Sequence, residues 1–410
     1  MNQKYLPGKL AAFSIFKFPH FQIFKLKSIV LRLFIFSILA HQQSSTLAQD
    51  SSHIRISLLT CGSGAPDDEL YTTFGHTGIR IIDSSSVTDY VYNYGNFDAF
   101  EDNFYINFVK GRLRYYVEAV DFKDFVDNYS ASNRSVTEQV LNLTAIEKIH
   151  IQHFLSSNIL PQNRHYMYEF CFDNCTTRVR DIIKRNHDST FVQTPVMPLG
   201  STFRQAIHFC LNRNDQQWSK LGIDLLLGKP CDAIMTTEQM DFLPENLMNS
   251  LNVAKHPFIL SVNNIVNTDK KNYSNSFFTP MVVFSILLIL AVLISFSANK
   301  KAATFLNGFD GLLFFLTGSL GILFVFMWTS TDHSMVKNNF NLVWAWPIHV
   351  IIAFFINSKK SWVKKYFSIS ITGQIIVLLS WFFLPQQMNN ALLPVVLLLL
   401  YRSIRRYQAF

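Results

Sequence analysis

The sequence contains little charge for its length. Charged residues make up 16% of its 410 residues, whereas a typical soluble protein has about 25%. Lys and Arg outnumber Asp and Glu by 36 to 28, but they are spread along the chain and do not form the dense basic block that binds nucleic acid. We therefore expect no nucleic-acid partner.

Cysteines are also few, and their number is odd. The chain has five: Cys61, Cys171, Cys175, Cys210 and Cys231. Five are too few for a disulfide-dense scaffold, and an odd number leaves at least one free thiol if the protein is exported; Cys210 and Cys231 could bridge. No pair of His or Cys residues has the compact spacing of a zinc site, so we expect neither a metal nor another cofactor.

Apolar residues, in contrast, are abundant and reach 49% of the chain. Five apolar runs follow one another near the C-terminus and are predicted as the helices of a transmembrane domain over 278–410: 278–296, 312–328, 342–356, 367–384 and 392–401. Basic residues cluster after the first, third and fifth runs: Lys300, Lys301, Lys359, Lys360, Lys364, Lys365, Arg402, Arg405 and Arg406. Five crossings from an exported domain would place every cluster in the cytoplasm, as the positive-inside rule requires.

The N-terminal segment has the features of an export signal. Lys25 and Lys27 precede an apolar run over 29–40, and small residues follow it near Ala48. Residues 1–48 are therefore predicted to be a signal peptide or an N-terminal anchor. This makes 49–265 an exported domain with strands and helices, among them a helix predicted over 236–250. A polar linker, 266–277, joins it to the multi-pass membrane part.

A change from strand to helix near the middle of the chain predicts a reactive cysteine at the start of the helix. Residues 166–171 alternate like a strand, and 175–186 have the apolar spacing of a helix. Asn174 is a favoured N-cap residue, so Cys175 falls at the first helical position, where the helix dipole favours a thiolate. A buried structural cysteine or half of a disulfide are the alternatives.

Two residues far upstream complete a possible catalytic set. His76 begins a strand, a serine turn follows it, and Asn93 lies on the returning strand, where cross-strand pairing could bring the two together. Nucleophile, base and orienter are the components of cysteine acyl transfer, here Cys175, His76 and Asn93. His76 could instead be a structural residue at a strand end, and Asn93 a turn or edge residue.

Several motifs resemble a known family. The chain contains GHTGIRII and, much later, DNCTTRVRDI, an order similar to that of circularly permuted papain-like enzymes such as lecithin retinol acyltransferase relatives. More closely, TTFGHTGIRI, YNYGNFD, NFYINFVKGRLRYYV, YEFCFDNCTTRVRD and MDFLPENL resemble, in order, the Lnb-type family of bacterial membrane proteins. The resemblance implies an α+β fold, with a permuted papain-like exported domain followed by an all-α transmembrane bundle. It also implies that His76 and Cys175 are catalytic, and that the chain is a multi-pass protein of a bacterial inner membrane with its catalytic domain facing the periplasm.

The Lnb-type family is associated with N-acylation of bacterial lipoproteins. The resemblance therefore implies transfer of an acyl chain from a membrane phospholipid, through a Cys175 thioester, to the α-amine of a diacylated lipoprotein. The residues expected to bind substrate are Tyr71, Asn174, Thr176, Arg178, Asp332, His333 and Asn341. Alternatives are an exported peptidase or amidase acting on the cell wall, an intramolecular lipoprotein transacylase, and a membrane sensor without catalysis.

Overall fold

The computed structural model describes residues 53–186, 194–254, 258–268 and 276–410. The predicted signal segment, 1–48, and most of the predicted linker lie outside these ranges. The strands are β1 Ile54–Cys61, β2 His76–Asp83, β3 Thr88–Phe97, β4 Arg114–Asp121, β5 Val136–Leu141, β6 His165–Met167 and β7 Ile259–Val266. The helices are α1 Phe104–Lys110, α2 Phe122–Ala131, α3 Ala145–Asn158, α4 Cys175–Asn186, α5 Phe203–Arg213, α6 Gln217–Leu226, α7 Thr237–Met240, α8 Pro244–Asn252, α9 Pro280–Ser295, α10 Lys300–Ser330, α11 His349–Phe354, α12 Ser361–Ser380 and α13 Leu393–Gln408.

A seven-stranded sheet forms the centre of the N-terminal part. All neighbouring strands are antiparallel, in the order β6-β4-β3-β2-β1-β5-β7. Side chains of β1 alternate between its two faces. Ile56 and Leu58 pack in the core that includes α3, α4 and α8, whereas Leu59 packs with Phe125 of α2. Helices therefore cover both faces of the central strands, and β1 is buried along almost its whole length.

Three predicted elements are shorter or broken in the structure. The strand expected over 166–171 ends at Met167, because a turn closed by backbone hydrogen bonds between Glu169 and Asp173 reverses the chain before α4. The helix expected over 236–250 is two helices, α7 and α8, and Pro244, which has no N–H to donate, begins the second. The apolar run 342–356 is helical only over α11, with a 3₁₀ turn at Phe340–Val343 before it.

The C-terminal part is helical. Within the described ranges, α10 is the one helix that is both long enough and apolar enough to cross a membrane, and α9 is apolar but shorter. The basic residues Arg402 and Arg406 of α13 bind Asp310 of α10, which is fully buried. Arg405 reaches the carbonyl of Ser295, so the ends of α9 and α13 meet at one basic end of the helices.

A buried polar cluster at the opposite end joins the helical part to the sheet domain. Arg204 of α5 is fully buried and binds Asp224 of α6 at 2.7 Å and Asp232 at 2.8 Å. The carboxylate of Asp224 also accepts a hydrogen bond from Asn389, at 2.9 Å, and its carbonyl accepts one from Asn341, at 3.0 Å. Because Asn341 and Asn389 lie in the segments that follow α10 and α12, this Arg204 cluster fixes both segments to α5 and α6.

Candidate active site

Cys175 is the first residue of α4, and Asn174 holds the start of that helix in place. The Asn174 side-chain oxygen accepts hydrogen bonds from the backbone N–H groups of Thr176 and Thr177, both at 2.8 Å. Its amide nitrogen donates to the carbonyls of Phe170, at 2.7 Å, and Phe242, at 2.9 Å. Asn174 is buried and its amide is fully used in these bonds, so its role is to cap and anchor the helix. No side-chain atom of Asn174 is left free for the substrate contact that the sequence predicted.

His76 begins β2, and Asn93 of β3 binds its ring. Asn93 lies opposite Gly78 in the register, so His76 is the next residue on the same face of the sheet. The Nε2 of His76 lies 2.5 Å from the Oδ1 of Asn93. Since this oxygen can only accept, Nε2 carries the proton in that bond, which leaves Nδ1 as the ring nitrogen available to the neighbouring Cys175 thiol.

The electrostatics of the pair favour an ionised thiol. Burial by itself would raise the pKa of Cys175, but the charge of His76 and hydrogen bonds from His76, the Thr77 backbone and Thr176 outweigh it and lower the pKa to about 7. Burial likewise works against a charged His76, yet the neighbouring Cys175 raises the pKa of its imidazole. In contrast, burial raises the pKa of Cys61 to about 12 and that of Cys210 to about 11. Of these three thiols, Cys175 is the one prepared to act as a nucleophile.

The backbone of Gly95 forms one wall of the site. The register between β3 and β4 shifts between Asn93 and Asn96, and Gly95 adopts a positive φ of 96° there. A Cβ at this position would lie 3.6 Å from Cε1 of His76 and 3.7 Å from Cβ of Cys175. A side chain would therefore fill the space beside the reacting atoms, and the glycine keeps it open.

Two family profiles match this chain. One is described as the Lnb N-terminal periplasmic domain and matches residues 41–206, and the other is described as the Lnb transmembrane domain and matches residues 272–409. The chain belongs to the Lnb-type family. Neither a search of curated proteins nor a search of solved structures gives a match. The profiles confirm the family that the motifs indicated, and they make this Lnb-type chain a membrane protein with a periplasmic part and an acyltransferase-like role.

The other predicted residues near Cys175 in the Lnb-type chain have mostly structural contacts. The buried hydroxyl of Thr176 lies 3.0 Å from that of Thr77 in β2. Arg178 forms a bidentate ion pair with Asp173, with N–O distances of 2.6 and 2.7 Å. Its guanidinium lies 3.8 Å from the ring centre of Tyr166. These contacts secure α4 against the sheet. Tyr71 differs, because it is 64% exposed and its ring is available to a substrate.

The predicted residues after α10 dock this segment of the Lnb-type chain onto the periplasmic part. Asp332 binds Arg112 at 2.7 Å, and the Nε2 of His333 lies 3.1 Å from the carbonyl of Phe108. Asn341 is buried in the Arg204 cluster, and its side-chain oxygen accepts a hydrogen bond from Trp344. The structure thus gives Asn341 a docking role, in place of the substrate contact that the sequence suggested. His349 is buried and hydrogen-bonded to Tyr366.

Sequence reasoning missed a group of tyrosines beside Cys175. The rings of Tyr115 and Tyr168 stack with centroids 4.3 Å apart, and Tyr166 lies 6.4 Å from Tyr115. Tyr115 and Tyr168 pack, together with Cys175, against the same hydrophobic core. The alternation of Tyr166 and Tyr168 in the sequence was visible, but nothing local indicated that β4 would bring Tyr115 to them.

The alkylation rate of Cys175 is expected to rise with pH around a midpoint near 7, because iodoacetamide reacts with the thiolate, which forms as pH rises through the pKa. His76→Ala removes the positive charge that favours this thiolate, so the midpoint should move to higher pH. Mass spectrometry of the Cys175 peptide measures the rate, with the buried Cys61 and Cys210 as internal unreactive controls. The same midpoint in wild type and His76→Ala would contradict the pairing.

Proposed function

We propose that this protein is a lipoprotein N-acyltransferase with Cys175 as its nucleophile. The observation that carries the proposal is that His76, bound by Asn93, lies beside Cys175 at the first residue of a helix and helps to lower the pKa of its thiol to about 7. This geometry matches the requirement of covalent acyl transfer for a nucleophile, a base and a residue that orients the base. The order of histidine strand before cysteine helix supports a permuted papain-like relationship.

The first half-reaction forms a thioester. The Cys175 thiolate attacks the carbonyl carbon of a phospholipid acyl ester, and the backbone N–H of Cys175, at the positive end of the α4 dipole, stabilises the resulting oxyanion. When the intermediate collapses, the carbon–oxygen ester bond breaks. The imidazolium of His76 gives its proton to the departing oxygen, which leaves as a lysophospholipid, and the acyl group stays on sulfur.

The second half-reaction forms an amide. The α-amine of the N-terminal diacylglyceryl cysteine attacks the thioester carbonyl while His76, now neutral, takes the amine proton. The carbon–sulfur bond breaks and the Cys175 thiolate returns, so the pair regains its starting protonation. Asn93 keeps Nε2 protonated throughout, which leaves Nδ1 as the atom that exchanges protons with sulfur, the departing oxygen and the amine.

A membrane part with five crossings suits this reaction. The acyl donor and the acceptor are both lipids, and a periplasmic active site fixed to a multi-pass bundle in the inner membrane meets both in one leaflet. The Arg204 cluster supports this arrangement, because it joins the segments after α10 and α12 to the periplasmic part, while the basic residues of α13 meet α9 and α10 at the other end.

Transfer from labelled phospholipid tests the proposal. The full chain in nanodiscs receives phospholipid with isotope-labelled acyl chains and a diacylated lipopeptide. We expect the label in the new amide and, without lipopeptide, a hydroxylamine-sensitive acyl group on Cys175. An unlabelled amide with a lysolipopeptide product would instead indicate an intramolecular transacylase. Cleavage of cell-wall peptides without any acyl transfer would indicate a peptidase.

A further inference from the structure

Helix α1 carries an apolar surface that is exposed in the part of the chain that the structure describes. Its sequence, FYINFVK, is mostly aromatic and aliphatic, yet none of its seven residues is buried. Tyr105 is 76% exposed, Ile106 54% and Phe108 50%, and Phe100, just before the helix, is 97% exposed. A helix that packs on a core buries one apolar stripe, whereas a contiguous exposed apolar cluster marks a surface that binds something. We call Phe100, Tyr105, Ile106, Phe108 and Val109 the α1 surface.

The end of α1 is fixed directly to the outer end of α10. The apolar helix α10 ends at Ser330, and two residues later the N–H of Asp332 donates to the carbonyl of Lys110, at 2.8 Å. Arg112 binds the Asp332 side chain at 2.7 Å. Gly111 allows this close approach, since a Cβ there would lie 2.7 Å from the nitrogen of His333. Two residues span at most about 7 Å, so the C-terminal end of α1 lies close to the end of α10, a helix that is long and apolar enough to cross a membrane.

A row of aromatic rings leads from α1 toward Cys175. Phe104 of α1 stacks on Phe97 of β3, with centroids 5.6 Å apart, and Phe97 lies 5.2 Å from Tyr115. Tyr115 stacks on Tyr168 at 4.3 Å. Tyr115 and Tyr168 pack against the same hydrophobic core as Cys175. The row of rings thus runs from α1 to the hydrophobic core on which Cys175 packs.

We propose that the α1 surface inserts into the outer leaflet of the membrane and that the aromatic row guides a phospholipid acyl chain from there to Cys175. The first half stands on the placement of α1, and the second rests on the function proposed above. A bilayer fits better than a protein partner because α1 adjoins the end of a membrane helix. Aromatic side chains are typical of this interfacial depth, and the exposed Lys110 can extend its ammonium to the headgroups.

Photocrosslinking tests the insertion without requiring catalysis. Benzoylphenylalanine is placed at Tyr105 of the full chain in phospholipid nanodiscs, and at Val87 as the control, because Val87 is 90% exposed in the turn between β2 and β3. We expect phospholipid adducts at Tyr105 and none at Val87, detected by mass spectrometry. Adducts only to a second copy of the chain or to an added lipopeptide would overturn insertion, as would the absence of lipid adducts at Tyr105.

A charge substitution on α1 tests the proposed path of the acyl chain from the α1 surface to Cys175. Tyr105→Glu should lower acyl transfer from bilayer phospholipid by about tenfold or more, since a carboxylate is costly at interfacial depth, whereas Val87→Glu should have no effect. The rate of Cys175 alkylation should remain unchanged in Tyr105→Glu, which shows that the site itself is intact. Unchanged transfer in Tyr105→Glu would refute the path while leaving the proposed function standing. If wild type transfers no label, the proposed function fails and the crosslinking result still decides insertion.

Discussion

Cys175→Ala is expected to abolish lipoprotein N-acylation, with a loss of at least about a thousandfold, because the variant lacks the thiol that forms the proposed thioester. Cells whose own copy is replaced by the variant should accumulate diacylated lipoproteins, identified by mass spectrometry of lipoprotein N-termini. Cys175→Ser should be nearly as defective, since a serine hydroxyl stays protonated where the thiol ionises near pH 7.

The matched control is Cys210→Ala, which removes a buried thiol whose pKa is raised to about 11. This variant should keep normal N-acylation at a normal protein level. Because Cys175 and His76 act as one unit, the double variant Cys175→Ala with His76→Ala should be no worse than Cys175→Ala alone. Triacylated termini in cells that contain only Cys175→Ala would refute the assignment of the nucleophile.

Arg204→Met is expected to destabilise the protein by about 3–5 kcal/mol, because it leaves Asp224 and Asp232 without their buried cationic partner. The Asp224 carboxylate is almost fully buried and would keep only the neutral partner Asn389 and the imidazole of His208, at 2.8 Å. Thermal unfolding in nanodiscs measures the effect. Limited proteolysis should also show faster cleavage in the segment after α10, which the cluster holds.

Arg213→Met is the control for this prediction, because it removes an arginine from the same helix, α5. Arg213 pairs with Glu245 on the surface, where the two side chains are 41% and 47% exposed. Solvent screens such a pair, so its loss should cost no more than about 1 kcal/mol. Equal unfolding temperatures for the two variants would show that the Arg204 cluster does not hold the two parts of the protein together.

Features that depend on a few neighbouring residues could be predicted from the sequence. Asn174 was predicted as an N-cap, and the structure places it there with Cys175 as the first helical residue. Thr144 and Glu147 form the capping box that their spacing indicates. The turn after β2 likewise lies among the serines where it was expected, which brought Asn93 onto the strand beside His76.

Features that depend on distant parts of the chain could not be predicted in this way. The bulge that places Gly95 beside Cys175 comes from a register shift between β3 and β4. A shift of one residue in the pairing of a strand turns its side chains to the opposite face of the sheet. Asn341, in the segment after α10, was predicted to bind substrate, because nothing nearby in the sequence reveals the buried Asp224 beside it.

The family, the cysteine at a helix start and the periodic apolar runs could be predicted from the sequence, because each depends on residue types and on spacings of a few positions. Three features depend on tertiary contacts: His76 lies between Asn93 and Cys175, Arg204 joins the helical part to the sheet domain, and α1 is exposed, among the described residues, beside the end of α10. These are contacts between segments tens to hundreds of residues apart, and they form only when the sheet register and the helix docking are fixed together.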